Sequence, residues 1–485
     1  MAEMNLPWGQ TFVIDRFELN GSTVDLHYSF VDLDPEADET TGTDATPGSD
    51  ETIEPSFRFV ETIEFDHELQ DTPGLRAALR ILHLLAGVSY YKSVAPTTIQ
   101  TPQLNVAERA LVLAMYDEGL REFAYRNGLG VPIAVDLRER PADVAQVEPS
   151  SPTSLEAHAR PSAQASPEAQ ADGVDSREPR VLIPIGGGKD SALVADLVPS
   201  GTLMAVSPKG AQEHLAKHLG RPLLKVRRTL DAKLRDLVAA GALNGHVPVT
   251  AINSAIAVTL AVSQGFDEVL MGLERSASEP SLVVDGVEVN HQYSKSASAE
   301  VLLRQAFRAT GVSYLSLLRP MTELAIGAAV GARGLAADIV SCNRVFTIWS
   351  ENDSSRTQRP CGDCAKCLFT ALMLAPSLSP EQIEEHFGRN LLDEEGHLEP
   401  VRELWSAEKP FDCVGERRET AAAVALLAQR PEWQKQLVPS KLAAEAFEVL
   451  AEVGAEPEDY LEIDSVDDLP VRYRAMIQGL GEGAG

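Results

Sequence analysis

The chain has 485 residues, which is too long for one ordinary domain and leaves room for two or three. Its formal net charge of -30 argues against a general nucleic-acid binder, because a phosphate backbone would be repelled over a long range. The start, Met1 to Trp8, has neither a basic nor an apolar run, so we expect no signal peptide and a cytoplasmic location. The longest uncharged stretch, Val247 to Gly265, contains several polar side chains and is predicted to be a buried helix rather than a membrane span.

Residues 1–143 have the pattern of a small α+β module in which no catalytic motif is evident. Alternating residues from Phe12 to Phe30 surround Asn20-Gly21, which predicts a β-hairpin. A further strand and two helices are predicted over Phe57 to Phe65, Leu75 to Leu85 and Val106 to Arg126.

Two low-complexity segments interrupt the pattern. Residues 32–53 are rich in Asp, Glu, Thr, Pro and Gly, whereas residues 144–179 are rich in Pro, Ser, Ala and Glu. Neither composition buries enough apolar surface to offset the entropy of ordering. We therefore predict an acidic loop insertion in the first module and a disordered interdomain linker after it.

From residue 180 the pattern changes to short apolar strands that alternate with helices. The predicted strands are Val181 to Ile185, Thr202 to Val206, Leu223 to Val226 and Glu268 to Met271. Such alternation predicts an α/β fold, in which helices cover both faces of a parallel, doubly wound sheet. We assign residues 180–416 to this catalytic domain and residues 417–485 to a helical C-terminal region. Ligands bind beyond the carboxyl ends of such strands, which points to Gly186 to Ser191, the region of Ser207 and Gly272 to Ser276.

The most informative stretch is the loop Gly186-Gly187-Gly188-Lys189-Asp190-Ser191, which joins the first of these strands to a helix, Ala192 to Val198. Glycines at this turn expose consecutive N–H groups and the helix N-terminus adds a positive dipole, so the loop is suited to phosphate. Asp190 and Ser191 stand where a magnesium-associated carboxylate and a phosphate-binding hydroxyl would be useful. The spacing is that of neither a P-loop nor a dinucleotide-binding loop. The plain alternative is a turn that only packs a helix on a strand.

Four of the five cysteines form a second constellation, Cys342 followed by Cys361, Cys364 and Cys367. Thiolates spaced by two residues converge on one tetrahedral ion, and a fourth ligand from another segment closes the shell. This pattern predicts a structural zinc site, with an iron–sulfur cluster as the main alternative. The remaining Cys413 fits a small buried hydrophobe better than an acid or base in a cleft.

The glycine-rich loop resembles that of the ATP pyrophosphatases, which split ATP between its α and β phosphates. This resemblance implies that the loop binds ATP and Mg2+ and that Ser207 lies beside the adenine. The loop residues concerned are Gly186, Gly187, Gly188, Lys189, Asp190 and Ser191. The cysteine arrangement is similar to that of the deazaguanine-nitrile synthases, which share this superfamily.

A set of uncommon strings over roughly residues 180–416 is similar to the UDP-N-acetylmuramoyl-L-alanyl-L-glutamate epimerases of the MurL type. Besides the loop and the cysteines, the strings are Asn244 to Pro248, Glu274 to Ser278, Asn290 to Ser296, Arg319 to Glu323 and Lys409 to Glu416. The resemblance implies inversion of the terminal L-glutamate of a peptidoglycan precursor. Because an α proton beside a carboxylate is very weakly acidic, we expect activation as an acyl-adenylate, with AMP and pyrophosphate released.

Proton transfer is predicted for His291, Tyr293 and Lys295, followed by His246 and Glu274, because such closely packed polar side chains suit a site. Two simpler roles are also compatible with the segment Asn290 to Ser296, which contains His291, Tyr293 and Lys295. It could bind only the UDP or lactyl-peptide part of the substrate, or form a hydrogen-bonded surface loop.

Substrate binding is predicted for Arg228, Arg275 and Asn290. Guanidinium groups bind carboxylates and phosphates bidentately, which suits both arginines to an anionic substrate. Arg228 belongs to a basic island between Lys209 and Arg235 that is equally compatible with a solvated helix face.

Two other functions are compatible with these motifs. An ATP pyrophosphatase that activates a carboxylate or a nucleobase could form an amide, nitrile or thio product, but no glutaminase segment is present and the acidity weakens a role on RNA. A regulatory nucleotide-binding protein would not need Lys189, Asp190 and Ser191 together. The preferred prediction is the epimerase, with a UDP-linked muramoyl dipeptide substrate and without nucleic acid, membrane or an obligate protein partner.

Overall fold

The computed structural model describes residues 11–31, 57–141, 177–342, 344 and 359–481. The predicted acidic insertion, 32–53, lies outside the described residues, as does the predicted linker apart from its last three residues. In chain order the described strands are β1 (Thr11–Asn20), β2 (Thr23–Val31), β3 (Phe57–Glu64), β4 (Thr98–Thr101), β5 (Asp136–Glu139), β6 (Val181–Pro184), β7 (Thr202–Val206), β8 (Leu223–Thr229), β9 (Glu268–Met271), β10 (Leu282–Val284), β11 (Val287–Val289) and β12 (Ser313–Ser316).

The helices lie between and after these strands. They are α1 (Pro73–Ala86), α2 (Val88–Tyr91), α3 (Val106–Tyr116), α4 (Arg121–Arg126), α5 (Lys189–Leu197), α6 (Gly210–His218), α7 (Ala232–Ala239), α8 (Val249–Gln264), α9 (Ala297–Ala306), α10 (Glu323–Ala332), α11 (Ala365–Leu374), α12 (Pro380–Phe387), α13 (Leu398–Glu403), α14 (Arg417–Gln429), α15 (Leu437–Ala451) and α16 (Val471–Gly481). Within the described residues, no helix is both long enough and apolar enough to cross a membrane.

Ten of the described strands form one mixed sheet in the order β12-β9-β6-β7-β8-β3-β2-β1-β4-β5. Neighbouring strands from β12 to β8 are all parallel, and β6 lies at the centre of that half. The chain moves outward from β6 through β7 to β8, then crosses back to β9 on the other side of β6. This reversal makes a topological switch point between β6 and β9, and it confirms the predicted α/β class with a mostly parallel sheet.

The N-terminal strands extend this same sheet. β3 pairs antiparallel with β8, where Thr62 lies opposite Thr229 and Glu64 opposite Arg227. One apolar core also contains residues from both sides of the predicted linker, among them Phe12 and Val269. The segment predicted as a separate module therefore shares a sheet and a core with the residues after 180.

Most local predictions in these regions are confirmed. The hairpin turns at Asn20-Gly21, where Gly21 has a φ of 64° that favours glycine. α8 begins after Pro248 and ends at Gly265, close to the expected bounds. The continuous helix predicted over Val106 to Arg126 is wrong, because α3 ends at Tyr116 and α4 begins at Arg121.

Candidate active site

The candidate site lies at the switch point, where the carboxyl ends of β6 and β9 face the start of α5. A cavity of about 240 Å³ opens there, with walls that include Gly186, Asp190, Gly272, Lys295, Lys366 and Cys413. The residue after β9 packs closely on the first turn of α5. A Cβ at Gly272 would lie 3.0 Å from the backbone carbonyl oxygen of Asp190, so a side chain there would push the end of β9 away from α5.

The glycine-rich loop has the geometry of a phosphate-binding turn. Gly187 has a φ of 84°, a backbone conformation that L side chains rarely adopt, and α5 begins two residues later at Lys189. Ser191 Oγ accepts the Gly186 N–H at 3.2 Å, which holds the loop against the first turn of the helix. The loop therefore places a helix N-terminus at the cavity, as the sequence predicts.

A second segment crosses over this loop. The Val340 N–H donates to the Gly187 carbonyl oxygen at 2.8 Å, and the Lys189 N–H faces Ser341 Oγ at 3.4 Å. Cys342, the first cysteine of the predicted metal site, comes directly after these contacts. The cysteine cluster is thus tied to the phosphate loop through two neighbouring residues.

Behind the loop lies a buried cluster of opposite charges. The Lys189 ammonium contacts the carboxylates of both Asp190 and Glu323, and the side chains of Lys189 and Glu323 are each 1% exposed. Lys366 Nζ lies 3.5 Å from the other Glu323 oxygen. Asp190, Glu274 and Glu323 each offer an oxygen within 4.8 Å of the others, which is the spacing of a shared cation site.

The two glutamates of this cluster differ in their ionisation. Burial acts to raise the pKa of Glu323, but the ammonium groups of Lys189 and Lys366 outweigh it and lower that pKa to about 2. Burial, together with the charges of Glu323 and Asp190, raises the pKa of Glu274 to about 7. Neither Glu274 carboxylate oxygen has a hydrogen-bond partner among the described residues. Glu274 is therefore able to hold or release a proton near neutral pH.

A second polar cluster joins three separate parts of the chain. His291 Nδ1 lies 2.5 Å from a carboxylate oxygen of Glu122 on α4, and its Nε2 lies 3.7 Å from Cys413 Sγ. Although burial disfavours the imidazolium, the contacts with Cys413 and Glu122 raise the pKa of His291 to about 10. The N-terminal residues thus supply a carboxylate to the site, a role that the sequence analysis did not foresee.

Cys413 and Lys295 occupy the cavity wall beside His291. Burial acts to raise the pKa of the Cys413 thiol, but the Lys295 ammonium and His291 lower it to about 6. Lys295 Nζ donates to Gln292 Oε1 at 3.1 Å, and its own pKa is raised against burial by the anionic groups around it. The sequence interpretation of Cys413 as a small hydrophobe is wrong, because a charged histidine and a lysine in the fold surround the thiol.

The remaining predicted proton-transfer residues lie around His291. The His246 ring packs against it at a tilt of 40°, with 4.2 Å between ring centroids, and burial followed by the charge of His291 lowers the pKa of His246 well below its usual value. The Tyr293 hydroxyl donates to Glu118 Oε1 at 3.1 Å, and burial with the Glu118 charge raises its pKa. The structure therefore brings the predicted histidines and Lys295 together, but it orients Tyr293 toward an N-terminal carboxylate.

The predicted substrate-binding residues have internal partners. The buried Arg228 guanidinium donates to Glu61 at 2.7 Å and to Ser89 at 2.9 Å. Arg275 pairs with Asp464 at 2.7 Å, in the segment before α16. We therefore leave both arginines out of the proposed site.

Asn290 and Ser207 shape their own backbone. The Asn290 amide donates to the Ala277 carbonyl oxygen at 2.9 Å, while its side-chain oxygen accepts the Gln292 N–H at 2.7 Å. Ser207 follows β7 with a φ of 43°, and its hydroxyl accepts the Arg228 N–H at 3.0 Å. Ser207 is exposed at the same sheet edge as the loop, which leaves room for a ligand beside it.

The four predicted metal ligands converge. The sulfur atoms of Cys342, Cys361, Cys364 and Cys367 all lie within 4.8 Å of one another. Cys361 and Cys367 are 3.8 Å apart, which matches the sulfur separation of about 3.8 Å expected for tetrahedral zinc with Zn–S bonds of ~2.3 Å. The donor set and its spacing therefore fit a closed four-sulfur site.

Comparison with known proteins decides the family. The family model of the MurL N-terminal domain matches residues 11–317, and that of the MurL C-terminal domain matches residues 338–456. This chain belongs to the MurL family. The two matched MurL regions divide the chain within the site itself, since the glycine-rich loop, Glu122 and His291 lie in the first, and Cys342, Lys366 and Cys413 lie in the second. No solved structure gives a significant match.

Curated MurL relatives match most of the chain. A protein of Salinispora tropica is 40% identical over 379 residues, covering 76% of this chain and 77% of that protein. A Micromonospora protein is 39% identical over 74% of this chain and 76% of its own, and one from Xanthomonas oryzae pv. oryzae is 38% identical over 75% and 77%. Each of the three is named UDP-N-acetyl-alpha-D-muramoyl-L-alanyl-L-glutamate epimerase.

Proposed function

We propose that this protein inverts the terminal L-glutamate of UDP-N-acetylmuramoyl-L-alanyl-L-glutamate in peptidoglycan precursor synthesis. The observation that carries the proposal is the match to three curated epimerases at 38% to 40% identity over about three quarters of the chain. The switch-point cavity supports it, since a phosphate-binding loop there adjoins groups that exchange protons near neutral pH.

We propose further that ATP activates the substrate carboxylate. Removal of an α proton beside a carboxylate would place a second negative charge next to the first, whereas an acyl-adenylate is neutral at the acyl carbon. AMP and pyrophosphate would then be released without any group being added to the product. In this proposal the loop residues Gly186 to Ser191 bind the phosphates through backbone N–H groups and the α5 N-terminus, as in the ATP pyrophosphatases.

The acidic cluster fits a magnesium ion. Asp190, Glu274 and Glu323 supply hard oxygen ligands within 4.8 Å of one another, the donor type that Mg2+ prefers. When bound, Mg2+ would neutralise charge on the phosphates. Lys189 and Lys366 hold Glu323 ionised, so a ligand carboxylate stays available at neutral pH.

The ionisation of the predicted residues indicates which role in the reaction each one suits. Glu274 belongs to the acidic cluster that we propose for magnesium, so we do not assign proton transfer to it. Lys295 stays protonated and lines the cavity, so it suits both stabilisation of a developing enolate and return of a proton to the α carbon. His291 is also charged at neutral pH. We therefore propose that it stabilises the neighbouring Cys413 thiolate and is not itself the base.

The four cysteines fit a structural zinc ion that would close the fold behind the cavity. Their thiolates would fill all four positions of a tetrahedral shell, leaving no open position for chemistry. Val340 and Ser341 contact the glycine-rich loop and immediately precede Cys342, the first ligand. The metal would therefore stabilise the segment that packs on this loop.

The test is a single incubation of the protein with ATP, magnesium and the UDP-linked L-glutamyl substrate in deuterated water. We expect D-glutamate that carries deuterium at the α carbon, formed only when ATP is present, together with AMP and pyrophosphate. Asp190→Asn is the control, since it keeps the shape of the loop but removes the charge. Consumption of ATP with an amide, nitrile or thio product and no D-glutamate would contradict the proposal in favour of a ligase.

A further inference from the structure

The Cys413 thiol is held at the cavity by contacts on both sides of it in the chain. The Lys409 N–H donates to the Ser281 carbonyl oxygen at 3.0 Å, and its ammonium donates to the Gly415 carbonyl oxygen at 2.9 Å. Gln292 Nε2 donates to the Val414 carbonyl oxygen at 2.9 Å. These bonds tie the segment before α14 to the segment that carries His291. The thiol is therefore a fixed part of the wall.

The groups that face the thiol favour its ionised form. His291 lies 3.7 Å from Cys413 Sγ, and the ammonium groups of Lys295 and Lys366 line the same cavity. Glu122 holds the other nitrogen of His291 at 2.5 Å, which orients the ring and keeps it protonated. A carboxylate, an imidazole and a thiol in this order form an activated thiolate, since each group stabilises the charge of the next.

The second observation is the Lys295 ammonium, which lines the same cavity as the thiol and lies near a buried carboxyl, that of Glu274. Glu274 is 1% exposed, and neither carboxylate oxygen has a hydrogen-bond partner among the described residues. The ammonium of Lys295 acts on both Glu274 and Cys413. The cavity wall thus carries an ammonium that holds a proton beside a thiolate that takes one up.

We propose that Cys413 is a catalytic residue of the epimerisation, transferring the proton on one face of the substrate α carbon, with His291 and Glu122 as positioning residues. The inference rests on the proposed function. In the step, the thiolate takes the α proton as the C–H bond breaks, and that electron pair forms the enolate of the activated glutamyl group. The Lys295 ammonium, which lines the same cavity, donates a proton to the same carbon on the other face, and both groups return to their starting state by exchange with solvent.

The test measures solvent deuterium exchange at the α carbon separately for the L and the D epimer, with ATP and magnesium present. Two groups on opposite faces predict one-sided loss, because each epimer presents its proton to only one of them. In Cys413→Ala we expect exchange of one epimer to fall about 10²- to 10⁴-fold while the other exchanges near the wild-type rate. Exchange of both epimers at the wild-type rate would overturn the proposal.

A fold control accompanies this measurement. Substrate-dependent exchange of pyrophosphate into ATP needs the loop but not the thiol, so Cys413→Ala should retain it. Cys413→Ser serves as the second variant, because its hydroxyl fills nearly the same volume but does not ionise near neutral pH. If the wild type itself fails to form pyrophosphate and D-glutamate, the proposed function fails; if only the one-sided loss is missing, the role of Cys413 fails.

Alkylation of the unmodified enzyme gives a measurement that needs no variant. The rate of iodoacetamide addition at Cys413, followed by peptide mass spectrometry, should rise through about pH 6, because Lys295, His291 and Lys366 favour the thiolate over burial. The substrate together with a non-hydrolysable ATP analogue should slow it. A thiol that reacts only above the ordinary cysteine pKa of about 8.5 would overturn the proposal.

Discussion

Replacement of Lys189 by methionine tests whether the buried charge cluster depends on its central cation. The lysine contacts Asp190 and Glu323, and against burial its ammonium, with that of Lys366, lowers the Glu323 pKa to about 2 from its ordinary 4.5. A difference of this size corresponds to about 3 kcal/mol of stability, of the order of the 3–5 kcal/mol lost when one partner of a buried ion pair is removed. We therefore expect Lys189→Met to lower the free energy of unfolding by about 3 kcal/mol near neutral pH.

The pH dependence of this loss has a definite sign. In the wild type, the lowered Glu323 pKa contributes stability above the unfolded value of about 4.5, and this stability is lost as the pH falls toward 2. In the variant, burial beside Asp190 and Glu274 is no longer offset by Lys189, so the Glu323 pKa rises. A raised carboxyl pKa costs stability as the pH increases, and the deficit of the variant should be larger near pH 8 than near pH 5.

Urea unfolding of the wild type and three variants at these two pH values measures the effect. Lys225→Met is the matched control, because it removes an exposed pair with Glu213 that is worth at most about 1 kcal/mol. The double variant Lys189→Met/Glu323→Gln removes both charges and should regain much of the loss. The reasoning is refuted if Lys189→Met costs no more than the surface control, or if its deficit does not change between the two pH values.

Three further predictions concern other parts of the site. Asp190→Ala should abolish substrate-dependent pyrophosphate exchange in a protein that still folds, because Lys189 keeps its contact with Glu323; normal exchange would contradict the role of Asp190 at the phosphates. Cys364→Ser should lower zinc content and melting temperature together, so a variant without metal and with wild-type stability would contradict a structural ion. Glu122→Gln should move the pH midpoint of Cys413 alkylation upward, because a less stabilised His291 cation favours the thiolate less; an unchanged midpoint would contradict the positioning role.

The phosphate loop and the cysteine cluster were predictable because their chemistry depends on neighbours in the chain. A strand, three glycines and a helix start follow one another closely, and Cys361 to Cys367 occupy the bend before α11 and its first turn. Cys413 and Glu122 were not predictable in this way. Each lies on a separate segment, and only the tertiary fold places both against His291.

The arginines also show that partners distant in the chain are not predictable from sequence. Arg228 and Arg275 have the charge that an anionic substrate requires, but sequence alone does not show which arginines already have acidic partners. In the fold, Glu61 comes from β3 and meets Arg228 because β3 pairs with β8. The pairing of these two strands thus gives Arg228 an internal partner and also joins the N-terminal strands to the sheet.

The strand pairing also explains why the N-terminal residues belong to the site rather than to a separate module. β3 completes the sheet beside β8, and the helices that follow bring Glu118 and Glu122 to Tyr293 and His291. The Glu122 carboxylate helps to keep the His291 imidazole charged, and this charge in turn favours the thiolate of Cys413. Residues 11–141 therefore contribute to the electrostatics of the cavity without lining it, and a fragment that begins at residue 180 would lose the partner strand of β8 and the carboxylate that orients His291.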